Sequence, residues 1–246
     1  MKYPADKSST IKTYSPSPVR LAGWGLAQSL VVLAGGINLQ IMTGALDAAP
    51  FLQWRQVISM LILTPLSLVL AFFILNELEH LACRSFMVFG LLLFSSFWIA
   101  VSMGIHEPIN RLWFAMHLSD TNGPASITVY FLDEILSHWV FFAGYAGVCV
   151  AWSWGQARNP VSEPISPLMW MAFVLVSFFG AAGIIASLWG ESISGIASDL
   201  SVIAAVILSC EALRRYGGTR RSQPVTLSVQ LSNLIAFAVL LISGLL

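Results

Sequence analysis

Val57-Ile58-Ser59-Met60-Leu61-Ile62-Leu63-Thr64-Pro65-Leu66-Ser67-Leu68-Val69-Leu70-Ala71-Phe72-Phe73-Ile74-Leu75 contains no ionisable side chain. About 20 such residues, as one helix rising 1.5 Å per residue, cross the roughly 30 Å hydrocarbon core of a bilayer. Similar runs recur along the chain. Leu21–Thr43, Val57–Leu75, Phe86–Gly104, Val129–Trp152, Leu168–Leu188, Ile193–Leu213 and Val225–Leu246 are read as seven spans. The sixth is the weakest, because Ser194, Ser198, Asp199 and Ser201 interrupt it.

Whole-chain composition agrees with this reading. The 246 residues are 57% hydrophobic and 10% charged, whereas a soluble domain carries about 25% charged residues. The fold class expected is all-α, a polytopic membrane protein of seven transmembrane helices. A formal net charge of zero leaves no global field to attract nucleic acid. The three cysteines, Cys83, Cys149 and Cys210, have no paired spacing and read as buried thiols.

Charge sets the expected orientation. With the N-terminus in the cytoplasm, Lys2, Lys7, Lys12, Arg20, Arg84, Arg158, Arg214, Arg215, Arg220 and Arg221 lie inside and only Arg55 and Arg111 outside. That asymmetry follows the positive-inside rule and puts the C-terminus outside. The expected location is a bacterial inner membrane. Residues 1–20 are polar and Ser/Pro-rich and read as a disordered cytoplasmic segment. Residues 21–246 read as a single membrane domain.

One loop is long. In the stretch 106–128, Pro108 disfavours helix at Glu107 and suits the start of a new one. Ile109, Leu112, Trp113 and Met116 then form an apolar stripe, so a short helix on the outer interface is expected. Pro65 is expected to kink the second span. Gly35, Gly36, Gly180 and Gly183 read as close helix contacts.

The chemistry is concentrated in the fourth span, where Asp133, Glu134, Ser137 and His138 enter an apolar helix. Ionisable groups inside a span are costly and mark pathways, relays or ligand sites. As an α-helix, this span puts Glu134 and His138 on one face with Tyr145 nearly in line, while Asp133 turns about 100° away toward Ser137. The third span runs antiparallel and ends in His106, Glu107 and Asn110 at the same layer. His117, Glu191 and Asp199 belong to that outer layer too. Two imidazoles and a carboxylate suit a transition metal, zinc first, with iron, manganese or copper as alternatives. The expected ligands are His106, Glu134 and His138. Asp133 is the expected base, with Glu107 as the other spare carboxylate and Tyr145 as a polar catalytic group. Glu107, Asn110, His117, Ser137 and Asp199 are expected around the substrate or behind the ligands. A metal-acidified water would make the site hydrolytic.

Two other readings use the same residues. A proton- or ion-coupled transporter would employ Glu134, His138 and Asp199. A non-catalytic subunit of a larger membrane complex would use them only for packing. At the cytoplasmic side, Glu77, Glu79, His80 and Arg84 read as a solvated turn.

No Walker A, GxGxxG, GxSxG, HExxH or CxxCH pattern is present, which argues against nucleotide-driven transport, dinucleotide chemistry and c-type haem. Seven spans with an intramembrane His/Asp layer resemble, in architecture, the ceramidase and progestin-receptor class of membrane hydrolases. Those families build a zinc site from Ser, Asp and several His, including an HxxxH pair. This chain has four histidines and no HxxxH, so no mechanism is carried over. The function expected is a metal-dependent hydrolase acting on a membrane lipid or other small apolar substrate.

Overall fold

The computed structural model describes residues 14–40, 47–49, 52–80, 84–117, 123–188, 193–217 and 222–245. Side chains are described throughout these ranges except at 39–40, 47–49, 52, 110–111, 113–117, 134, 193–199 and 244–245. Seven helices run through the described residues: α1 (Pro18–Gln40), α2 (Trp54–Leu78), α3 (Phe86–His117), α4 (Pro124–Arg158), α5 (Pro167–Leu188), α6 (Ile193–Tyr216) and α7 (Pro224–Leu245). A small antiparallel ribbon, β1 (Asp47–Ala49) with β2 (Leu52–Gln53), leads into α2.

Among the described residues, six helices are long and apolar enough to cross a membrane, namely α1 to α5 and α7. The helix at the sixth expected span, α6, has the length but carries Asp199, Glu211, Arg214 and Arg215. It is the most polar of the set. The chain is a multi-pass helical membrane protein.

Neighbours are set by side-chain size. α1 packs between α2 and α5, α5 on α7, α7 on α6, α6 on α4 and α4 on α3. Because α4 also touches α2 and α7, it is the central helix. The tightest seam joins α1 to α5. A Cβ at Gly36 would stand 2.7 Å from the Gly183 carbonyl, and one at Gly183 would stand 2.7 Å from Val32. Backbone approach of this kind is what small residues permit between membrane helices. Gly36 and Gly183 thus act as expected, as does Gly180 against Ser232 of α7, whereas Gly35 faces open space.

Proline behaves differently at its two interior positions. Before Pro65, α2 widens into a π-helical turn, Ser59–Leu63, and Pro65 then opens the α-helical stretch Thr64–Leu78. The wide turn absorbs the missing N–H and the ring's clash with the preceding carbonyl. At Pro108 the expected break does not occur. α3 continues through it for 32 residues, to His117. The carbonyl that Pro108 crowds belongs to Gly104, four residues earlier. That α3 turn is also held laterally, because Gln56 Nε2 donates to the Glu107 carbonyl at 2.6 Å.

The arginine-rich end of the bundle is not a solvated turn. Glu77 and Glu79 are buried. Glu77 accepts from Ser17 N at 2.8 Å and pairs with Arg20 at 3.0 Å, while Tyr14 Oη donates to its carbonyl at 2.7 Å. Glu79 accepts from Ser85 N at 3.0 Å and pairs with Arg158 at 3.3 Å. Arg84 donates to Asn76 at 2.6 Å and stacks over Phe72 and Phe89. Residues 14–20, read from sequence as disordered, are therefore bonded in place. The rest of that segment, 1–13, lies outside the described residues.

Candidate functional site

At the opposite end, α3 and α4 bring the polar residues together. His106 Nδ1 stands 2.8 Å from Asp133 Oδ1. The rings of His106 and His138 lie edge to face, with centroids 5.3 Å apart. Ser137 approaches His106 Nδ1 at 3.5 Å and donates its hydroxyl to the Asp133 carbonyl. Ser102, one turn before His106 on α3, donates to the Ser137 carbonyl at 2.7 Å. Asp133 and Ser137 are fully buried.

The local cause is a second π-helical turn. α4 is π-helical over Phe131–Ser137, with α-helix on both sides. Its i→i+5 bonding gives each residue a smaller rotation than the 100° of an α-helix. The expected α-helical phase, which turned Asp133 away from the histidines, therefore does not hold for Asp133. Asp133 faces α3 and meets His106. The Glu134 side chain lies outside the described residues.

Glu107 is buried beside this pair, and its Oε1 has no hydrogen-bond partner among the described residues. The same is true of Asp133 Oδ2. Arg55 is close enough to attract the Glu107 carboxyl. Two buried carboxylates thus converge on one histidine, each with an oxygen unused. A buried polar atom in that condition calls for a ligand, a proton or water.

The other expected residues are placed as follows. Tyr145 lies two turns along α4, away from the histidines, and donates to Asn233 Oδ1 of α7 at 3.0 Å. Asn110 and His117 are on the last turns of α3 and Asp199 is on α6, but their side chains lie outside the described residues. Glu191 also lies outside them. Among the described residues, no three His, Cys, Asp or Glu side chains are grouped so as to hold a metal ion.

Two participants escaped the sequence reading. Ser102 carried a signal, since it lies four residues before His106 and shares its face. Gln56 sits just before the run that opens the apolar part of α2 and so read as loop. It is 1% exposed and ties α2 to the site. No protein-family model matches the chain, and no curated protein or solved structure is significantly similar to it.

Proposed function

We propose that the chain is a membrane enzyme whose His106–His138 layer binds a transition metal and hydrolyses a lipid or other small apolar substrate. One observation carries this reading: a buried carboxylate, Asp133, braces His106 through Nδ1 while a second imidazole stands beside it. A histidine that ligates a metal through one nitrogen is usually held through the other by a carboxylate or carbonyl. In this arrangement Nε2 of His106 and the His138 ring are the nitrogen donors, and Glu134 is the third ligand. Asp133 orients His106, so the base role passes to Glu107. A bound metal would supply an acidified water to that base. The excess of arginine at the opposite end supports an outer-leaflet site by the positive-inside rule.

The test is elemental analysis of the purified protein. Stoichiometric metal, zinc first, is expected in the wild type and none in His138→Ala. Asp133→Asn is expected to retain the fold and weaken metal affinity about 10–100-fold. Wild-type protein without metal would overturn the reading.

One observation favours a second reading, ion or proton movement. Tyr145, Cys149, Ser153 and Gln156 form a polar stripe along α4, against Cys210 of α6 and Asn233 and Thr226 of α7. Phe142, packed with Leu188, Ile203 and Leu240, separates this stripe from His138. Absence of metal from the wild type would shift the site to this reading.

A further inference from the structure

The proposed lipid substrate needs a way in and a place for its chain. Between α3 and α4 lies a groove of about 300 Å³, lined by Phe94, Ser95, Trp98, Trp139, Val140 and Ala143. Its walls come from the two helices that carry His106, Asp133 and His138. Trp139 follows His138 directly and Phe94 is twelve residues before His106, so the groove runs from beside the histidine layer to about 18 Å toward mid-membrane at 1.5 Å per residue.

The shape has a local cause. Behind the groove, Gly144 lets α4 lie against α3. A Cβ there would stand 2.7 Å from the Ser95 carbonyl and 2.7 Å from Ile99. That contact gives the groove a closed floor. Ala143 leaves the space above it empty, and Phe94 and Trp139, 60% and 56% exposed, stand up as rims. The lining is almost wholly apolar, and it belongs to stretches of α3 and α4 within membrane-spanning segments. Its surroundings are therefore hydrocarbon. One polar atom breaks the pattern: Trp98 Nε1 is buried without a hydrogen-bond partner among the described residues.

We infer that this groove takes one hydrocarbon chain of a membrane lipid, entering sideways from the bilayer, with the lipid's polar part at the His106–Asp133–His138 layer. The inference rests on the reading of that layer as a lipid-acting site, and it makes the substrate class a lipid with a long acyl or isoprenoid tail. The apolar floor holds the tail, and the histidine layer lies where headgroup chemistry begins.

The experiment is photolabelling of the full chain in phosphatidylethanolamine–phosphatidylglycerol vesicles that carry a phospholipid with a diazirine in one acyl chain. Adducts are expected to concentrate at residues 94–98 and 139–143, above the level at Leu61 and Leu208, which are 69% and 70% exposed but lie outside the groove. Ala143→Phe fills the space and is expected to abolish the groove adducts, while Ala143→Ser retains them. Ala143→Leu is a second filling variant should the phenylalanine disturb folding. Groove labelling no stronger than at Leu61 and Leu208, or unchanged in both filling variants, overturns the proposal. Metal content of the same preparations separates the two readings. Groove labelling without metal retains the chain site and removes the metal; metal without groove labelling does the reverse.

Discussion

Glu79 shows how a single buried carboxyl at the bundle's edge links stability to pH. Burial raises its pKa above the usual carboxyl range, against the pull of the Ser85 N–H and the charges of Arg158 and Arg84. The folded state therefore binds this proton more tightly than the unfolded state does. The stability that Glu79 contributes is fully present below the ordinary carboxyl range. It is lost as pH rises through that range to the raised value. Thermal unfolding of the detergent-solubilised protein should show a melting temperature that declines over this interval. Glu79→Gln, which still accepts from Ser85 N, should flatten the decline. An identical pH profile in the variant would show that the burial of Glu79 is not linked to stability. Nothing in the sequence pointed to this, because a Glu two residues from another Glu and next to His80 reads as a wet turn. Only the return of Ser85, Gly155 and Arg158 to that turn encloses it.

At the level of the element, α4 decides whether the site exists. A π-helical turn holds one residue more than the α-helical turn it replaces. Deleting Ile135, which is 39% exposed, should let 131–137 close into regular α-helix. Asp133 would then rotate by about one residue's angle, roughly 100°, relative to His138. The expected outcome is unchanged far-UV circular dichroism with loss of bound metal. Metal retained at wild-type level would show that the π turn does not set the site. The helices themselves were legible, since runs of about 20 apolar residues have no other home in a membrane protein, and six of the seven expected starts fall within three residues of those observed. The layer holding His106, Asp133 and His138 was legible too, from antiparallel order alone. The phase within it was not. Hydrophobic spacing carries no mark of a π turn in so apolar a helix, and the tie from Gln56 to the Glu107 carbonyl, beside Pro108, is a contact between distant segments that spacing cannot show.

For the whole molecule, the two ends differ in kind. One closes with ion pairs among Arg20, Glu77, Glu79 and Arg158, and the other buries carboxylates against histidines. The orientation drawn from arginine predicts that Ser162→Cys, exposed beside Arg158, reacts with a membrane-impermeant maleimide only from the cytoplasmic side. Ile127→Cys, 63% exposed at the other end, should react only from outside. The reverse pattern would move the site to the inner leaflet. The ion-paired end also bears on how the chain is assembled. Ser15 meets Ser162 through hydroxyl and backbone contacts, and Glu79 meets Arg158 only after α3 and α4 have been made. During synthesis Glu77 meets Tyr14, Ser17 and Arg20 as soon as the first two helices are made, but Glu79 waits for its arginine until the fourth helix arrives. The contact of the N-terminal segment with Ser162 thus forms only after the first four passes are complete, and a chain stalled before α4 would leave Glu79 without its arginine.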